Sequence, residues 1–207
     1  MTKRQRDEKG GARDSPEQSA EETAEVPAHA AAGGSQAEDS TRLALARLHR
    51  ERGDLSLAIV ELESARRETP QDIDVVVELA AALAAAARPV EAEKELRRAL
   101  RLQPGRADVH YHLGVVLFKR GLYRPAAAEL RRTLELDEHQ GDAYFYLGES
   151  LNQLGEVDPA LAMLERAVRY QPDNARAYFT MGLLYDRKHL RDEATSMYRK
   201  ARDLGVA

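Results

Sequence analysis

From residue 39 onward the apolar positions recur in steps of three and four. Leu96 and Leu100, Leu130 and Leu134, and Leu161 and Leu164 carry this spacing. It places side chains on one face of an α-helix, not on alternate faces of a strand. The helix formers Ala, Leu, Arg and Glu dominate between breakers at Gly53, Pro70, Pro104, Gly121, Gly155 and Pro172. The pattern predicts paired helices of about a dozen residues each.

The pairs repeat every 34 residues. Ala58, Ala92, Ala126, Ala160 and Ala194 form one row, and Leu45, Leu79, Leu113, Leu147 and Met181 another. The residue after each member of the second row is small: Ala46, Ala80, Gly114, Gly148 and Gly182. Leu62, Leu96, Leu130, Leu164 and Tyr198 make a further row. Five units follow without gaps, at 39–72, 73–106, 107–140, 141–174 and 175–207. One unit cannot bury its own faces, so stacking must complete the core.

This pattern resembles the tetratricopeptide repeat, a helix–turn–helix unit of the same length. The fourth unit matches most fully, through Tyr144, Leu147, Gly148, Leu151, Gly155, Ala160, Leu164, Ala167 and Pro172. The resemblance implies an all-α, right-handed superhelical solenoid. It also implies a non-catalytic protein-interaction scaffold, whose first helices line a concave groove.

Departures from the pattern carry expectations of their own. The first unit has Arg42 and His49 where other units are mostly apolar, which reads as a solvated cap. Ala87 stands where a turn glycine is usual, and Pro89 marks a helix start. The fifth unit leaves an apolar end around Leu190, Met197, Tyr198 and Leu204. That end fits self-association or partner binding, and equally mild exposure at a terminus.

Composition narrows the function classes. The chain has 207 residues, 32% charged and 43% hydrophobic, with a net charge of −4 and no cysteine. Disulfides, thiolate metal sites and cysteine nucleophiles are excluded. The near-balanced charge argues against non-specific nucleic-acid binding. The longest uncharged apolar run, Leu79 to Ala87, is too short to cross a membrane. Residues 1–38 are polar, with Val26 their one aliphatic residue larger than Ala besides Met1. They are expected to form a disordered tail, with a docking motif around Lys3–Lys9 as the weaker reading. No apolar leader follows Lys3, Arg4 and Arg6, so the cytoplasm is the default location. The excess of Arg over Lys and the abundance of Ala hint at a GC-rich bacterial genome.

No hydrolase elbow or phosphate loop is present, and no cofactor is expected. His110 and His112 lie too far apart around a helix to share a metal easily. The run Asp137-Glu138-His139-Gln140-Gly141-Asp142 reads as a polar loop rather than a cation site. No metal site is expected.

The groove offers more. By resemblance, groove-facing places include the second, fifth, ninth, twelfth and thirteenth of each unit. They nominate Val77, Tyr111, Val115, Phe118, Phe145, Glu149, Asn152, Phe179 and Leu183 as a surface for a peptide or helix of another protein. Packing between helices is an equal reading for each ring. All eleven Tyr and Phe residues lie beyond residue 110, so ring anchoring is confined to units three to five. A chaperone-tail clamp needs Lys at the fifth place and Asn at the ninth; no unit has either, so that ligand is not expected. The second places Asp74, Asp108 and Asp142 either select basic peptides or occupy first helical turns. Arg98, Arg132, Arg166 and Lys200 form a basic ladder, with Glu95 and Glu129 spaced to neutralise it. Self-assembly through the repeat ends, or service as the targeting or regulatory subunit of a separate enzyme, are the alternative roles.

Overall fold

The computed structural model describes residues 30–205, with side chains from residue 41. The described residues form ten helices and no strand. In order they are α1 Ala30–Glu51, α2 Leu55–Glu68, α3 Ile73–Ala85, α4 Pro89–Leu102 and α5 Ala107–Lys119. Then come α6 Tyr123–Leu136, α7 Gly141–Gln153, α8 Val157–Tyr170, α9 Ala175–Arg187 and α10 Arg191–Asp203. Pro89 occupies the first turn of α4, as expected. α1 begins upstream of the expected boundary at 39, at Ala30, and so runs through Gly33 and Gly34. Once a packed turn is formed, extending a helix through Gln36, Ala37 and Glu38 costs little. The tail over 1–29 and its docking motif lie outside the described residues.

Each pair turns in the same way. Asp54, Arg88, Leu122, Glu156 and Leu190 donate their backbone N–H to the carbonyl five residues back. This satisfies a carbonyl that the helix end would leave open. The residue before each donor takes positive φ: Gly53, Ala87, Gly121, Gly155 and His189. Glycine does so without strain, whereas Ala87 and His189 hold a conformation that costs about 1–2 kcal/mol.

Within a pair the helices meet on the small residues. Ala58, Ala92, Ala126, Ala160 and Ala194 are buried, as are Leu62, Leu96, Leu130 and Leu164. Thr133 interrupts the buried row of Ala65, Ala99, Ala167 and Ala201, and its hydroxyl donates to the Glu129 carbonyl at 3.1 Å. Between pairs, each second helix packs on the next first helix. Successive first helices also touch one another, whereas among the described residues no two second helices do. The first helices therefore form the inner, concave row. The core divides within α6 into an aliphatic part up to Ala126 and a part from Ala127 that includes Tyr144 and Phe145.

The two ends differ in part from expectation. In α1, Leu45 and Leu48 are each 40% exposed, because among the described residues no pair precedes them. Their counterparts Leu79, Leu113 and Leu147, and Ala82, Val116 and Leu184, are buried. The first unit is thus not a wet cap: His49 is half-buried, and its Nδ1 has no partner. At the other end Leu190 and Leu204 are exposed. Met197 and Tyr198, however, turn inward: Tyr198 lies against Gly182 and donates to Asp186 at 2.7 Å. Burial first, and that bond second, push its hydroxyl up to about 12.

Candidate binding groove

The inner row brings together part of the expected surface. Tyr111, Val115 and Phe118 of α5 are half-buried and face α7. Between them stands Tyr146, its ring centre 6.3 Å from Tyr111, 5.6 Å from Phe118 and 5.2 Å from Phe145. The contacts are edge-to-face, the geometry the ring quadrupole favours. Tyr123 continues the cluster beyond Phe118 at 5.7 Å. Burial, helped by Asp142, pushes the Tyr111 hydroxyl above its ordinary range, so it stays a hydrogen-bond donor. His112 lies 5.2 Å from Tyr111, and burial lowers its tendency to take a proton.

Other expected groove residues are already occupied. Val77 is 8% exposed and Phe145 4%, which makes both core residues. The fifth place packs on the next first helix: the Arg176 guanidinium of α9 sits 5.1 Å over the Phe145 ring. Phe179 and Leu183 hold the fifth and ninth places of the last unit. They are 40% and 43% exposed, with no further helix to cover them among the described residues. Glu149 accepts from the Thr180 hydroxyl at 2.5 Å, and Asn152 Oδ1 accepts from Arg187 at 2.9 Å. Both polar groups thus bind α7 to α9.

The charged ladders resolve into specific pairs. Asp74, Asp108 and Asp142 all stand in first helical turns. Arg106 donates to Asp74 at 2.6 Å and to both Asp108 oxygens, at 2.9 and 2.7 Å. That guanidinium holds the Asp108 carboxyl below the usual carboxylate range. Asp142 accepts from Gln171 at 2.9 Å. The expected neutralising pairs on the second helices are replaced by longer-range ones. Glu95 takes Arg66 of the preceding pair at 2.5 Å, and Glu129 takes His110 at 2.7 Å. Arg98 donates to the Pro70 carbonyl, Arg132 pairs with Glu135, Arg166 lies over Tyr144, and Lys200 lies over Tyr178. Apart from Arg132 and Glu135, which lie three residues apart on α6, spacing along one helix does not show these contacts, because the partners sit elsewhere in the stack.

Tyr146 is the central ring that sequence reasoning missed. It occupies the sixth place, one residue beyond the place that was followed. The sixth places read Ala44, Glu78, His112, Tyr146 and Thr180, and the large residues in the middle were the available signal. On the outer side, a hollow of about 500 Å³ lies between α6, α7 and α8 over Leu134, Leu147, Leu151 and Met163. Among the described residues no group of three His, Asp or Glu side chains is arranged to hold a metal ion. None of the described helices is long and apolar enough to cross a membrane.

Comparison with known proteins adds to this geometry. A family model described as tetratricopeptide repeat matches residues 49–114 and 117–184. Among solved structures, the crystal structure of MamA is 28% identical, with a TM-score of 0.68; the match covers 77% of this chain and 93% of that one. YrrB, described as a TPR protein with an unusual peptide-binding site, is 26% identical with a TM-score of 0.64, over 79% and 84%. MamA 41-end from Desulfovibrio magneticus RS-1 shares the fold at a TM-score of 0.71 and 20% identity, over 80% and 94%. No curated protein sequence matches the chain.

Proposed function

The chain belongs to the tetratricopeptide repeat family, and on that premise we propose that it is a non-catalytic scaffold whose inner row binds a segment of another protein. The observation that carries this reading is the half-buried ring cluster of Tyr111, Phe118 and Tyr146. Rings give large contact area for few torsions, and they dominate binding energy where they are partly open to a ligand. Beside them, Val115 supplies aliphatic area, and Asn152 and Arg187 a polar flank. Phe179 and Leu183 extend the apolar surface along the stack. The described peptide-binding site of YrrB supports a peptide as the ligand class. Val77 and Phe145 act here as packing residues beneath the surface. The excess of Arg over Lys and the abundance of Ala support a bacterial source.

Selection from a random-peptide display library against the purified chain tests the proposal. Phe118→Ala combined with Tyr146→Ala should weaken the selected peptides by about thirtyfold or more. Far-UV circular dichroism would check that the helices persist. Equal binding by the folded double variant would remove the inner row as the site.

A further inference from the structure

We propose that the two ends of the stack are complementary halves of one interface, and that a second copy of this chain docks its first pair on the last pair of its neighbour. The internal junctions show what such an interface consists of. At each of them, the places held by Leu45 and Leu48 in α1 are buried against the preceding pair, as at Leu79, Leu113, Leu147 and Met181. The places held by Phe179 and Leu183 in α9 receive the following first helix, as Phe145 receives Arg176 and Glu149 receives Thr180. The exposed apolar residues of the two ends therefore lie on opposite halves of the same contact.

Charge supports the same register. Arg66 of α2 meets Glu95 of α4 at 2.5 Å across a junction. Four repeats on, the corresponding residues at joined ends are Arg202 of one copy and Glu61 of the next. Asp158 of α8 meets Lys188, just past α9, at 2.6 Å. Its counterparts at joined ends are Asp192 and Arg52. One pair opposes the contact: Asp186 would face Glu51, where Asn152 meets Arg187 inside the chain. α10 also presents Thr195 and Arg199 outward. The joined interface is therefore more polar than an internal one, and salt weakens it. The chain's own N-terminal residues are a poor rival occupant of the α1 face, since 1–29 contain Val26 as their single branched aliphatic. Because head and tail are different surfaces, the contact does not close on itself and adds copies in a row.

Light scattering coupled to gel filtration on the full chain, over a range of concentrations, tests this. The mass should rise with concentration beyond a dimer. Arg202→Glu alone and Glu61→Arg alone should each weaken association about tenfold, and the two combined in one chain should restore it. Glu51→Lys should strengthen association by a similar factor. A strict monomer at high concentration overturns the proposal. So does a mass that stops at a dimer and ignores Arg202→Glu, which would indicate two identical faces meeting. These substitutions are at the ends, away from the cluster of Tyr111, Phe118 and Tyr146, so peptide binding there and self-association over Phe179 and Leu183 can fail separately.

Discussion

In the first two pairs the residue facing the partner helix is alanine, Ala46 and Ala80; in the last three it is glycine, Gly114, Gly148 and Gly182. A Cβ at Gly148 would stand 2.7 Å from Leu164 Cγ and 3.3 Å from the Ala160 carbonyl oxygen. At Gly114 it would meet Leu130 Cγ at the same distance, and at Gly182 the Tyr198 ring at 2.5 Å. The later pairs thus close to a separation that the earlier pairs, with Ala46 and Ala80 buried, do not reach. The later pairs also hold every aromatic ring. One methyl group sets how tightly a pair closes, and the rings are confined to the tighter half.

Substitutions can break this comparison. The largest effect is expected from Leu164→Ala and Leu96→Ala, each costing about 2–5 kcal/mol through a lost side chain and the cavity it leaves. Urea titration followed by circular dichroism should give similar values for both, since each leucine is fully buried. A much smaller loss at Leu164 would mean that the tighter half collapses around cavities more easily. Next, Gly148→Ala should cost about 1–3 kcal/mol by overpacking against Leu164. Its mirror, Ala80→Gly, should cost about 1 kcal/mol through helix propensity and lost contact. A neutral Gly148→Ala would end the claim that glycine sets the separation.

Turns give a smaller contrast. Ala87→Gly should raise stability by about 1 kcal/mol in the same titration, and Gly155→Ala should lower it by about 1–2 kcal/mol. Equal and opposite shifts would show that the two halves turn alike and differ only in packing. The smallest effect concerns pH. Burial lowers the proton affinity of His112 in the folded chain, with Asp108 and Glu78 pulling the other way and Arg50 adding to the lowering. The unfolded chain takes that proton near its ordinary value of about 6.5. The stability contributed by neutral His112 is therefore complete above that value, and is lost as pH falls through the folded one. His112→Gln should flatten this part of the melting-temperature profile on the acid side. A profile identical to the parent's would place the acid sensitivity elsewhere.

The repeat and the pairing of helices were legible in the residues, whereas the inner position of the first helices followed from the family resemblance. A 34-residue period leaves each position five witnesses, so Leu164 and Ala160 could be assigned with their counterparts. The ends were less legible, because periodicity describes what neighbours do to one another and an end lacks one neighbour. Leu45 shares its row with Leu79 yet stands exposed, and Tyr198 reads as an end residue yet lies over Gly182. The groove was half legible. Phe145 and Phe179 share a place, and the presence of a following pair, with Arg176 over the former, separates a core ring from a surface one. Tyr146 was missed because the family's place was followed in preference to residue size.

Among the described residues, first helices touch their successors and second helices do not touch one another. The inner row is then a pivot line and the outer row a free edge. A small rotation at any junction opens the outer gaps far more than it lengthens the inner row. A segment lying along the inner row meets a ruler of nearly fixed graduation, one set of residues per pair. The outer hollow between α6 and α8 works instead as a gauge, its volume rising and falling with the bend of the stack.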